Sequence, residues 1–149
     1  MWRTPTKDDL IDSVSEKEIG SYDNAASPSL SARPRHESVI ARTVAFVRGY
    51  IASSPKRITL STDKSMLPDS LIAPAMDYAA ISIIKRSDTE TAQLRQTAAD
   101  NALKLFQSIA EGKFTPESYD GAAVSGQGAV ELAASSRRRV TSASLEGTP

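Results

Sequence analysis

The residue types able to do chemistry are few in this 149-residue chain, and their spacing gathers none of them into a catalytic set. His36 is the one histidine, so a histidine-based metal site or a Ser-His-Asp triad has too little material. It is expected as an exposed residue in the first turn of a helix. Cysteine is absent, which removes thiolate nucleophiles, cysteine-ligated metals and disulfides, and suits a reducing compartment. Asp8 and Asp9 could share acid–base work as a carboxylate pair. Following Thr6, they read better as first-turn carboxylates that satisfy a helix N-terminus. Gly126-Gln127-Gly128 is shorter than a dinucleotide fingerprint and has no strand–turn–helix context, so it reads as a spacer. There is no Gly-Lys-Ser/Thr phosphate loop, and the carboxylates are spread over polar positions where nothing would raise their pKa. The expectation is a protein that is not an enzyme and takes no cofactor and no metal.

One charged cluster, Arg137-Arg138-Arg139, has three readings. It can be a solvated run that keeps a polar tail soluble. Its guanidinium groups can contact a nucleic-acid backbone without reading sequence. Or it can dock on acidic groups of a protein partner, with Val140, Ser144 and Leu145 beside it and two small apolar anchors among them. Acidic and basic residues balance at 18 each and no aromatics are interleaved with the arginines, which favours the third reading. Trp2, the lone tryptophan, either covers helix ends or anchors an interface, where tryptophan is enriched.

The elements that would position these residues are helical. Thr6 with Asp9 predicts an N-cap before Leu10, Ile11 and Val14, and Ser15 with Glu18 predicts a second short helix ending near Gly20. Residues 21–33 read as loop, punctuated by Asn24 and Pro28. After Pro34, Ile40, Val44, Val47 and Ile51 recur at the helical period, widened by Val39, Phe46 and Tyr50, and predict a helix to about Ala52. The stretch from Ser53 to Leu67 holds Pro55 and a β-like Arg57-Ile58-Thr59-Leu60. It reads as a hairpin, an extended contact arm or a surface crossover, with Arg57, Ile58 and Leu60 as candidate contacts to neighbouring subunits alongside Trp2.

Pro68 opens another helix carrying Leu71, Ile72, Ala75, Met76, Ala79 and Ile83. After Ser87-Asp88-Thr89, a last helix carries Leu94, Ala98, Ala102, Leu105 and Ile109, flanked by Leu103, Phe106 and Ala110, and stops at Gly112. The short turn between these two predicts antiparallel packing. The expected fold class is all-α: a small antiparallel bundle of three longer helices plus one or two short N-terminal ones, with a long extended C-terminal arm.

Residues 1–112 form the expected core and residues 113–149 the arm. Ordering the arm costs about 1–2 kcal/mol per residue in backbone entropy. Its sparse apolar groups, Val124, Val130, Leu132, Val140 and Leu145, each return only about 1.5–3 kcal/mol on full burial. Alone, the arm is therefore expected to be disordered and to take shape on a partner. The N-terminus leads into charged residues rather than an apolar run, and no stretch reaches the roughly 20 apolar residues of a spanning helix. No membrane association is expected.

Several stretches, in this order and spacing, resemble the head–tail connector proteins of bacteriophages, including those of Mu-like prophages (adaptor or head-completion proteins). They are Thr4-Pro5-Thr6-Lys7-Asp8-Asp9-Leu10-Ile11, Val47-Arg48-Gly49-Tyr50-Ile51, Leu67-Pro68-Asp69-Ser70-Leu71 with Ala75-Met76-Asp77-Tyr78-Ala79, and the run from Ala102 to Gly112. Arg138-Arg139-Val140 through Ser144-Leu145-Glu146-Gly147 resembles the family's C-terminal signature, with Thr141 where an aromatic is expected. The resemblance implies a structural virion protein made in the bacterial host cytoplasm and placed in the neck. It implies a homo-oligomeric ring, commonly of about twelve copies, closed by head-to-tail contacts. Its partners would be a portal protein above, gripped by the C-terminal arm through Arg137 to Leu145, and a tail or stopper protein below. Viral DNA would pass through the lumen without specific binding. The competing reading is a helical nucleic-acid-binding protein, a small packaging subunit or a regulator, that uses the arginine cluster on DNA.

Overall fold

A computed structural model describes residues 1–24, 34–83 and 89–120. In chain order the elements are β1 (Trp2–Arg3), α1 (Lys7–Ile11), α2 (Glu16–Asn24), α3 (Arg35–Ser53), β2 (Leu67–Pro68), α4 (Asp69–Ile83) and α5 (Thr89–Ala110). The all-α expectation holds: three longer helices pack on one another and the short ones sit at the N-terminal side.

Both N-terminal helices start where the capping residues place them. Asp9 reaches back to accept hydrogen bonds from the Thr6 backbone N–H at 2.7 Å and the Thr6 hydroxyl at 2.9 Å. Glu18 does the same for the Ser15 N–H and hydroxyl, and the Ser15 hydroxyl faces the Glu18 N–H at 3.4 Å. Such reciprocal bonds occupy amides that have no partner inside the helix. α2 does not stop at Gly20 but runs on to Asn24, into the stretch expected as loop. Ile19 buried on one side and Tyr22 packed against the core give that extra turn a reason to stay helical.

The core is built from one stripe on each long helix. α3 contributes Val39, Ile40, Val44, Val47 and Ile51, as its periodicity predicts, and α4 contributes Leu71, Ile72, Ala75, Met76, Ala79, Ala80 and Ile83. α5 turns inward Ala102 and Ile109 of the expected stripe together with the flanking Phe106, and its rotation leaves Leu94 outside. Ala99, Ala102, Phe106 and Ile109 are buried, while Leu94 is 70% exposed. Two contacts set that rotation. Phe106 packs against Tyr50 and Tyr78, and Arg95 comes inward to give Glu18 of α2 two hydrogen bonds at 3.0 and 3.1 Å. A large aromatic buries more apolar area than a leucine, so Phe106 decides the register over Leu105.

The connection from α3 to β2 is a crossover over the surface, with no hairpin in it. Its second half is held by Arg48, whose guanidinium donates to the carbonyls of Ser61 at 2.7 Å, Met66 at 2.8 Å and Asp63 at 3.0 Å. β2 then pairs antiparallel with β1, Trp2 opposite Pro68 and Arg3 opposite Leu67.

α5 ends as Gly112 predicts. Gly112 takes φ 74°, its N–H bonds the Ile109 carbonyl at 3.0 Å and the Lys113 N–H bonds the Ser108 carbonyl at 2.8 Å. That is the left-handed glycine cap with its paired bonds. The chain does not leave the core there. The Tyr119 N–H bonds the Thr59 carbonyl at 2.9 Å, the Trp2 indole N–H bonds the Glu117 carbonyl at 2.9 Å, and Trp2 and Tyr119 meet edge to face at 5.9 Å. Packing against the core continues past Gly112 to Tyr119. Residues 121–149 lie outside the described residues, and with them Arg137, Arg138, Arg139, Val140, Ser144 and Leu145.

Candidate functional site

α3 carries an exposed surface on each side of its buried stripe. At 100° per residue, Glu37, Ala41 and Ala45 fall on one flank and Arg42, Phe46 and Tyr50 on the other.

The first flank is the floor of a groove of about 590 Å³, inside the range of ordinary ligand pockets. Ile40, Ala41, Val44 and Ala45 supply the apolar floor, Thr4 to Lys7 one wall, Lys64 and Ser65 the other, and His36 and Glu37 the end at the start of α3. The walls are fixed by charge. Arg3 holds both Asp9 oxygens at 2.7 and 2.8 Å and Asp69 at 2.8 Å, tying the N-terminal segment to the first turns of α1 and α4. The Arg3 guanidinium, with the Thr6 bonds, holds the Asp9 carboxyl down at about 2. The opposite wall hangs on Arg48. Burial pushes that guanidinium below its ordinary range, with the Asp63 carboxylate opposing. The Thr4 and Ser65 hydroxyls meet at 3.1 Å and join the two walls.

His36 departs from expectation. It is 7% exposed, its backbone N–H donates to Asp23 Oδ1 at 2.9 Å, and its Nδ1 lies 2.6 Å from Asp23 Oδ2. Burial raises the Asp23 carboxyl, but the two bonds from His36 outweigh it and leave the group below its usual range. The two contacts with Asp23 fix the orientation of the imidazole ring. Ser54 Oγ is the buried side-chain polar atom without a hydrogen-bond partner among the described residues. Among the described residues the imidazole has Asp23 as its hydrogen-bond partner. The Thr6 hydroxyl is engaged by Asp9 and the Ser65 hydroxyl by Asp63 at 2.7 Å. Lys7 pairs with Glu16 at 3.6 Å, whereas Lys64 is exposed and has no ion-pair partner among the described residues. The groove thus combines an apolar floor with Lys7 and Lys64 in its walls and Glu37 at one end.

The second flank is aromatic. Phe46, 37% exposed, stacks on Tyr78 of α4 at 5.1 Å and 8° between planes, and meets Tyr50 edge to face at 5.1 Å. A shallow pocket of about 190 Å³ opens there, lined by Val39, Arg42, Thr43, Phe46, Tyr78 and Ser82. Exposed, stacked aromatics are the kind of surface that interface hot spots use.

The sequence-derived contact residues fall elsewhere. Trp2 is 6% exposed and committed to Glu117 and Tyr119, so it covers its own core. Arg57 is exposed on the crossover, with Ile58 and Leu60 half-buried against the core beside it. These three lie apart from both flanks of α3. Sequence reasoning missed the groove, the His36–Asp23 pair and the Arg48 clamp. One signal was present: Ala41 and Ala45, one turn apart and off the apolar stripe, mark a small-residue strip that a partner can approach closely. Among the described residues no helix is long and apolar enough to cross a membrane, and no three His, Cys, Asp or Glu side chains could together hold a metal. No family model, curated protein or solved structure matches the chain.

Proposed function

We propose that this chain is a non-enzymatic connector subunit that assembles into a closed ring beneath the portal of a bacteriophage head, extending the DNA channel and joining it to a tail or stopper protein. The observation that supports the ring is the pair of unlike exposed surfaces on opposite flanks of α3, a groove with an apolar floor and a stacked aromatic face. Ring closure needs a head-to-tail contact between two different patches of each subunit, which one self-complementary patch cannot supply. A single helix carrying both patches fixes the angle between successive subunits. The virion setting rests on the ordered stretches that resemble head–tail connectors, and the C-terminal arm with Arg137 to Leu145 is the portal-gripping element in that reading. Viral DNA passes through the lumen without specific contacts, consistent with the formal net charge of zero.

The test separates the two faces. Ala45→Glu places a charge on the groove floor and Phe46→Asp removes the aromatic stack. Both positions are exposed, so the core remains intact. With a purified portal present, each variant alone is expected to give no closed ring in native mass measurements. Mixed one to one, the intact aromatic face of the first and the intact groove of the second should yield pairs and nothing larger. Normal rings from either variant overturn the assignment of these faces. Loss of salt-sensitive DNA affinity on replacing Arg137, Arg138 and Arg139 by Ala, with assembly unaffected, would favour the nucleic-acid-binding reading instead.

A further inference from the structure

The two flanks of α3 match each other position by position. Glu37, Ala41 and Ala45 stand one turn apart along the groove, and Arg42, Phe46 and Tyr50 one turn apart along the aromatic face. A shift of five residues carries one set onto the other, so that a cation meets a carboxylate and two rings meet two methyl groups. Both charges are available. Glu37 is exposed, and its carboxylate has no partner among the described residues. Arg42 is exposed and has no ion-pair partner among them, its Nε reaching only the Ser38 carbonyl at 3.4 Å. The lysines of the groove leave Glu37 unanswered. Lys7 pairs with Glu16 at 3.6 Å. Lys64 belongs to the wall that hangs on Arg48, which lies about 16 Å further along α3, beyond the roughly 8 Å screening length at physiological salt. The aromatic pocket itself, lined by Arg42, Phe46, Tyr78 and their neighbours, has no carboxylate among its described lining, so two aromatic faces set against each other would offer Arg42 no counter-charge.

We propose that the occupant of the α3 groove is the aromatic face of a second copy of this chain, with Arg42 of one copy paired to Glu37 of the next, Phe46 over Ala41 and Tyr50 over Ala45. The match holds only when the two α3 helices run in the same direction. Reversed about Phe46, Arg42 would lie over Ala45 and Tyr50 over Glu37. Neighbours in a ring of about twelve differ by a rotation of about 30°, which keeps their helices near parallel. Ring closure also permits no rise between subunits, so a stagger of five residues, about 7.5 Å, inclines α3 to the ring axis. The alanines let the rings approach closely, and the exposed ion pair sets the register more than it adds affinity. Closure into a ring rests on the connector reading; the pairing of the two faces rests on their complementarity.

Exchanging the charges in the full chain tests the pairing. Arg42→Glu and Glu37→Arg are each expected to weaken self-association about fivefold in sedimentation, because each sets like charges against one another. Mixed one to one, the two variants should recover the parent's association, since each then meets the opposite charge at both of its contacts. Two variants that had merely misfolded could not rescue one another. Single variants that associate like the parent, a mixture that associates no better than its components, or a parent that stays single at millimolar concentration overturns the proposal. With the purified portal added, the mixture should close only rings with an even number of subunits. Recovered association without any ring on the portal would count against the connector reading alone.

Discussion

Arg48 donates hydrogen bonds to three backbone carbonyls of one loop and lies 5.7 Å from the Trp2 ring, so a single side chain joins α3, the crossover and the N-terminal strand. Its partners are carbonyls, not carboxylates, and no other residue type could supply three donors in that fan. Arg48→Met keeps the stem but removes the fork, and is expected to cost about 2 kcal/mol in urea unfolding, with Arg48→Lys recovering roughly half. An unchanged urea midpoint would show that the loop is held by something else. The Arg3–Asp9 pair gives a pH signature. Asp9 has its folded pKa lowered from 3.8 to about 2, chiefly by hydrogen bonds from Arg3. A depressed carboxylate contributes stability that is present above its unfolded pKa and lost as pH falls through the folded one. Asp9→Asn should therefore lower stability at neutral pH and flatten the acid limb between those two values. Since Arg3 is 46% exposed, solvent screening holds the effect to about 1 kcal/mol. At this scale the sequence was legible only where partners are neighbours. Thr6 with Asp9 and Ser15 with Glu18 were read directly, because caps act over three residues. The His36–Asp23 bond spans 13 residues, and nothing local to His36 announces it.

Gly112 shows what an element boundary needs. Its φ of 74° is left-handed, and a Cβ built there would come 2.7 Å from Pro55 Cγ. Gly112→Ala therefore carries two penalties, backbone strain of about 1 kcal/mol and a steric clash of similar size. Adding Pro55→Ala should relieve the clash and leave the strain, so the double variant is expected to unfold at a denaturant concentration between those of Gly112→Ala and the parent. A double variant no more stable than Gly112→Ala would mean the proline contact is unimportant. Helix starts and this stop were readable because they depend on local backbone chemistry. The inward face of α5 was readable only in part: Ala102 and Ile109 lie on the expected stripe and Phe106 on its flank, while Leu94 stays outside. The choice is made by the aromatic neighbours Tyr50 and Tyr78 and by the Arg95–Glu18 pair, which lie on other elements. The same limit applies to residues 114–120, whose docking depends on Trp2 more than a hundred residues away in sequence.

For the whole molecule, the stretches on which the proposed connector reading rests supply about half of the buried core. Val47, Ile51, Leu67, Leu71, Ala75, Met76, Ala79, Ala102, Phe106 and Ile109 are core residues. Residues of this kind specify how helices pack, and so make the helical architecture legible. A docking surface is made of exposed side chains such as Ala41, Ala45, Phe46 and Lys64, whose types are ordinary and whose meaning lies in what three-dimensional packing sets beside them. The fold could therefore be read from periodicity and capping, while the groove and the aromatic face emerged only once α3 had neighbours. The proposed ring under a portal depends on these two faces meeting head to tail between subunits. The most direct measurement is native mass determination with electron microscopy of the 15.9 kDa chain, alone and with the purified portal. Closed rings of about twelve subunits stacked on the portal are expected. A chain that stays solitary in the presence of the portal contradicts the account.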